Sequence, residues 1–152
     1  MKLVIQETDE ASVEIEGKTI SAIKKGETVL VSFTLEDNKA VIDKMIAKML
    51  KLRIFPDEKG LTNLSISEIC GEILSISQFT LYASLKEGNR PAFTECLDKE
   101  NAKQLYDYYV QKLSSSYPYT AYGVFHADMK VHLINDGPFT VILDSRELGY
   151  GG

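Results

Sequence analysis

A change of hydrophobic period at Asp37-Asn38 constrains this chain more than any other feature. Ahead of it, Ala11, Val13 and Ile15 alternate with polar residues, the two-residue repeat of a half-buried strand. Leu3–Gln6 is a short apolar strand candidate, Gly17-Lys18 punctuates the pattern, and Ile20 and Ala22 fit a return strand. A turn at Lys25-Gly26 leads into Thr28–Leu35, rich in β-branched and aromatic residues, so residues 1–35 read as an antiparallel meander. Behind the junction, Ile42, Met45, Ile46, Met49 and Leu52 recur at helical spacing. They predict a helix over 39–52, capped by Asp37 or Asn38, with one face on a core. The fold class expected is α+β.

Asp57 to Gly60 reads as a turn. From Gly71 to Ala83 the apolar residues Ile73, Leu74, Ile76, Phe79 and Leu81 occupy both parities, as in a strand covered on both faces or one beside a cleft. Residues 84–96, with Gly88 and Pro91, read as a loop. A second helix is expected from Asp98 to Leu113, with Ala102, Leu105, Tyr109 and Leu113 on one stripe. Tyr119–Val124, Met129–Ile134 and Phe139–Leu143 read as strands. Without an internal repeat or linker, residues 1–148 are expected to form a single domain, with 149–152 a flexible tail.

The formal net charge of −5 discourages non-specific nucleic-acid binding, because phosphate neutralisation supplies most of that affinity. Lys44, Lys48, Lys51 and Arg53, and separately Lys86 and Arg90, form either solvated faces or a local basic rim. Met1–Glu10 lacks the long apolar run of a signal peptide, and no stretch approaches a membrane span, so a cytoplasmic protein is expected. Cys70 and Cys96 have no close Cys or His partner, which argues against a zinc site and for free thiols. No phosphate loop, zinc-protease helix or nucleophile elbow occurs, and neither His126 nor His132 adjoins a nucleophile in sequence. No metal or cofactor is expected.

Two segments resist a bland account. Ser77, Gln78 and Thr80 interrupt an apolar run, where unpaired burial costs about 1–3 kcal/mol per group. They are satisfied by neighbouring backbone or face a cleft. Asn135-Asp136-Gly137-Pro138 separates two strand candidates, and by itself reads as a tight turn.

Ser77-Gln78-Phe79-Thr80-Leu81-Tyr82-Ala83 and Asn135-Asp136-Gly137-Pro138-Phe139-Thr140 also carry a resemblance. With Leu3-Val4-Ile5-Gln6, Ala11-Ser12-Val13, Leu52-Arg53-Ile54-Phe55, Asn63-Leu64-Ser65, Arg90-Pro91 and Ala127-Asp128-Met129, the chain resembles the D-aminoacyl-tRNA deacylases over roughly residues 1–145. The resemblance implies an antiparallel-rich, barrel-like sheet with two main helices. It implies a homodimer, with active sites at the subunit interface, that hydrolyses the ester joining a D-amino acid to the tRNA 3′ end. Ser77, Gln78 and Thr80 would serve catalysis without a side-chain nucleophile. Phe79, Phe125, Met129, Gly137 and Pro138 would bind substrate and screen its chirality, with a cis Gly137-Pro138 peptide reaching into the partner's site. Lys86, Arg90 and the helix lysines are candidate phosphate contacts. Two other readings stay open: a deacylase of achiral or L-aminoacyl-tRNA, in a related branch whose Gly-Pro peptide is trans, and a weakened homologue that only binds RNA.

Some positions depart from the family pattern. Glu7 stands where the family has an arginine associated with holding the Gly-Pro loop, a full charge reversal. Thr62 replaces methionine, His126 replaces glycine, and Asn89 stands where a second arginine precedes Arg90.

Overall fold

Lys2–Ile15 forms one unbroken strand, β1, in the computed structural model, which describes residues 1–151. β1 turns back at Glu16-Gly17, where both residues have positive φ (50° and 79°), the requirement of a tight two-residue hairpin turn. The return arm is β2, Lys18–Ile23, continued by β3, Gly26–Ser32. Both pair antiparallel with β1, β2 along Ala11–Ile15 and β3 along Lys2–Thr8. The expected meander is therefore one long, bent hairpin, because β3 returns to β1 and does not lie beside β2.

Asn38 caps α1, Lys39–Leu50, its side chain accepting from the Val41 amide at 3.1 Å. Val41, Ile42, Met45, Ile46 and Met49 form its buried face, each worth about 1.5–3 kcal/mol of burial. The Asp57–Gly60 turn joins two very short strands, β4 (Phe55–Pro56) and β5 (Thr62–Leu64). Glu72–Ser77 follows as β6, and it pairs with β3 in parallel. α2, Lys99–Ser116, is capped by Asp98 and buries Tyr106, Tyr109 and Leu113. β7, Thr120–Tyr122, lies parallel to β6. The sheet is thus mixed, its antiparallel pairs supplied by β1 with β2, β3 and the last strand, β8, Lys130–Asp144.

The helices cover one face of the sheet, over Leu3, Ile5, Val29, Val31, Ile73 and their neighbours. On the other face β2 bends across, so that Ser21 Oγ donates to the Tyr122 carbonyl at 2.6 Å and encloses Val13, Ile23, Leu74 and Ile76. This fold-over makes the sheet barrel-like. On the helix-covered face, Ser75 is accommodated because its hydroxyl lies 2.7 Å from that of buried Tyr109 in α2.

Two expectations need correction. The run from Gly71 to Ala83 is not one strand: β6 stops at Ser77 and the chain winds into a single 3₁₀ turn, Phe79–Tyr82. The mixed parity of its apolar residues is the signature of that change of conformation. Asn135–Pro138 does not reverse the chain either, since β8 keeps its direction on both sides and bulges outward there. Past β8, Gly149 and Tyr150 donate to the carbonyls of Arg146 and Ser145, and Tyr150 packs on the core. Gly152 lies outside the described residues.

Candidate active site

The 3₁₀ turn after β6 is held from beneath. The Gln78 amide donates to the Val31 carbonyl at 2.8 Å, continuing the β3–β6 pairing by one residue. The Phe79 carbonyl accepts from Ser32 Oγ at 3.3 Å and from Cys96 Sγ at 3.4 Å. Burial and neighbouring Glu95 push the Cys96 thiol up, which keeps the proton that this bond needs. The amides of Phe79 and Thr80 have no acceptor among the described residues, as expected at the start of a helical turn. Gln78 Nε2 lies 2.5 Å from Thr80 Oγ1 and donates to it.

Ser77, Gln78 and Phe79 line a cavity of about 250 Å³, faced by Phe125, His126, Asp128 and Met129. Met129 is positioned by its sulfur, which accepts from the Val124 amide at 3.4 Å. The structure therefore gathers five of the expected site residues, Ser77, Gln78, Phe79, Phe125 and Met129, round one cavity. Thr80 adjoins it through Gln78.

Gly137 and Pro138 lie elsewhere in the same chain. β1 advances from Gln6 to Thr8 while β8 advances from Asn135 to Thr140, so the surplus residues project as an exposed crest. The Gly137-Pro138 peptide is cis, as the resemblance implies. Asn135 fastens the crest: its Oδ1 accepts from the Phe139 amide at 2.9 Å, and its Nδ2 donates to Thr140 Oγ1 at 3.1 Å. Gln6 Nε2 donates to the same hydroxyl at 3.2 Å. These amide contacts hold the crest without an arginine at position 7.

Glu7 faces Glu27 directly across β1 and β3. Glu27 is 1% exposed, and burial, then repulsion from Glu7, raises its carboxyl to about 8. Glu7 is itself raised, mainly by burial and secondarily by Asp136, against the opposing pull of Lys25. No ion pair replaces the expected arginine among the described residues.

His126, absent from the expected site, is the residue that sequence reasoning missed. It occupies the left-handed region at φ 61°, a conformation that costs about 1–2 kcal/mol outside glycine. Its ring stacks on Phe79, 6.0 Å between centroids and 3° between planes. Its replacement of the family's glycine was the available signal.

Among the described residues, no cluster of His, Cys, Asp and Glu is arranged to hold a metal, and no helix is long and apolar enough to cross a membrane.

The chain is similar to known proteins along nearly its whole length. A D-aminoacyl-tRNA deacylase of Finegoldia magna is 51% identical over 96% of this chain and 99% of its own. One from Variovorax paradoxus is 46% identical over 94% of this chain and 98% of its own. Among solved structures, the c-Myc DNA Unwinding Element Binding Protein superposes with a TM-score of 0.91 at 40% identity, covering 95% of this chain and 99% of that one. A probable eukaryotic D-amino acid tRNA deacylase shares the fold, with a TM-score of 0.82 at 16% identity over 93% of this chain and 97% of that one. The D-Tyr-tRNA(Tyr) deacylase profile matches residues 4–144, and with relatives this similar along nearly its whole length, the chain belongs to that family.

Proposed function

We propose that this protein hydrolyses the ester joining a D-amino acid to the 3′-terminal adenosine of tRNA, as a homodimer. The observation that carries this reading is the Ser77–Thr80 turn. Its two unpaired amides and a hydroxyl held by Gln78 stand at the edge of a cavity walled by Phe79, Phe125 and Met129. The names of the relatives supply the substrate class.

An aminoacyl ester is already activated, so catalysis needs a positioned water and donors for the oxyanion. Water adds to the ester carbonyl, and the developing oxyanion accepts from the Phe79 and Thr80 amides and the Thr80 hydroxyl. The adduct then collapses, expelling the ribose 3′-oxygen, which takes up the proton that the water has lost. The neighbouring 2′-hydroxyl relays it.

Chirality is screened by main-chain carbonyls of the Gly137-Pro138 crest. They occupy the place of an L side chain and ignore the identity of a D one. The crest is absent from the lining of its own chain's cavity, so it serves the cavity of the second subunit. An apolar strip on β8 is available for that contact, with Ile134 and Ile142 52% and 59% exposed. Beside it, between the β1–β2 hairpin and β8, is a hollow of about 610 Å³.

The test is deacylation of matched D- and L-aminoacyl-tRNA and glycyl-tRNA, with a free D-amino-acid ester as control. Turnover of the D substrates with the L substrates spared supports the reading. Turnover confined to glycyl- or L-aminoacyl-tRNA assigns the protein to the other branch, and no turnover leaves only RNA binding.

A further inference from the structure

His126 closes an aromatic row that runs from the core to the surface. Tyr106 stacks with Phe125 at 5.2 Å between centroids, Phe125 meets His126 at 4.6 Å, His126 lies parallel to Phe79, and Phe79 tilts against Phe93 at 5.2 Å. Phe79 and Phe93 are 48% and 44% exposed, and His126 is exposed as well. Aromatic surface is thus kept in water beside a catalytic cavity.

Phe125 and His126 also form a wall shared by two cavities. On one side is the cavity of the Ser77–Phe79 turn. On the other is a shallow, mostly apolar hollow of about 450 Å³, bordered by Lys99, Glu100 and Lys103 at the start of α2. Lys103 is committed to Asp107 at 2.6 Å, whereas Lys99 makes no ion pair among the described residues. A ligand that fills the first cavity and continues past His126 enters a hollow with aromatic faces and one free cation. Single-stranded RNA binds surfaces of that composition, its bases stacking on rings and its phosphates meeting lysine.

We infer that His126 is a specificity-determining platform that stacks the base of the cytidine preceding the terminal adenosine, with Lys99 facing its phosphate. This inference rests on the tRNA deacylase reading above. Glycine at position 126 would satisfy the backbone as well and offer no face, so the ring is what this chain adds. The Phe79 contact holds that ring in a fixed plane, which lowers the ordering cost of a stacked base.

The experiment compares wild type, His126→Gly and His126→Phe on three substrates. These are D-tyrosyl-tRNA, the same tRNA with an abasic residue in place of the penultimate cytidine, and D-tyrosyl-adenosine. His126→Gly suits the left-handed backbone and retains the fold. It is expected to raise KM for D-tyrosyl-tRNA about tenfold relative to KM for D-tyrosyl-adenosine, with kcat little altered, and His126→Phe to restore the ratio. The abasic change should cost wild type the same factor and His126→Gly nothing further. An unchanged KM ratio in His126→Gly, or an abasic penalty of full size in that variant, overturns the inference. Wild type that hydrolyses neither D-tyrosyl substrate overturns the deacylase reading and this inference with it. Equal KM for the tRNA and the adenosine ester in wild type overturns the inference alone.

Discussion

At Thr80 the hydroxyl oxygen accepts from Gln78 Nε2, so its own proton is left to donate. That arrangement suits an oxyanion donor and disfavours an attacking oxygen, for which a base would have to accept the proton. Thr80→Ala is expected to lower kcat by about 10²–10³, the usual effect of losing one such donor, while leaving measurable turnover. Single-turnover quenching should show no acyl-enzyme in wild type, and an acyl group trapped on Thr80 would contradict the assignment. The polar residues of this turn were legible as an anomaly in the sequence. What holds the turn was not: Ser32 and Cys96 meet the Phe79 carbonyl from separations of 47 and 17 residues.

Among the elements, β8 and the β1–β3 pair show how backbone and charge shape the site. Gly137 has φ 129°, and a Cβ there would lie 3.0 Å from the Phe139 nitrogen, the amide that Asn135 holds. Gly137→Ala therefore distorts the crest. We expect kcat/KM for D-aminoacyl-tRNA to fall at least tenfold, with only a small change in Tm because the crest is exposed. Steady-state kinetics alongside thermal melting separates the two effects. Glu27 governs a different property. Its folded carboxyl titrates near 8 against 4.5 as the reference value. Between those pH values the folded state binds the extra proton, so stability fully present below about pH 4.5 declines as pH rises and reaches its floor above about 8. Glu7, raised for the same reason, adds to the decline. Glu27→Gln should flatten this dependence and stabilise the protein at pH 8 by a few kcal/mol. Urea denaturation of both proteins at pH 5 and pH 8 measures it, and equal slopes with pH would remove Glu27 as the cause.

For the whole molecule, the cavity and the crest belong to one chain yet do not meet within it. In the homodimer proposed above, a two-fold pairing through the β8 strip would bring each crest to the other cavity. Sedimentation at micromolar concentration should give about twice the 17.0 kDa chain mass. Ile134→Glu, placing a charge on the exposed strip, should shift the protein toward monomer and remove activity in parallel. A fully active monomer would refute the shared site.

The sequence by itself determined both helices and most strand positions and narrowed the first cap to Asp37 or Asn38, because periodicity and capping are local consequences of backbone geometry. It also displayed the two motif segments, since both depart from the patterns around them. Tertiary structure decided that β3 and β6 run parallel, that β6 ends in a 3₁₀ turn, and that Asn135–Thr140 bulges without reversing the chain. Each depends on which strand lies alongside, and pairing partners far apart in the chain leave no period in it. The contact of His126 with Phe79 has the same origin. Two rings 47 residues apart become parallel only when the segment after β7 is folded against the turn that ends β6.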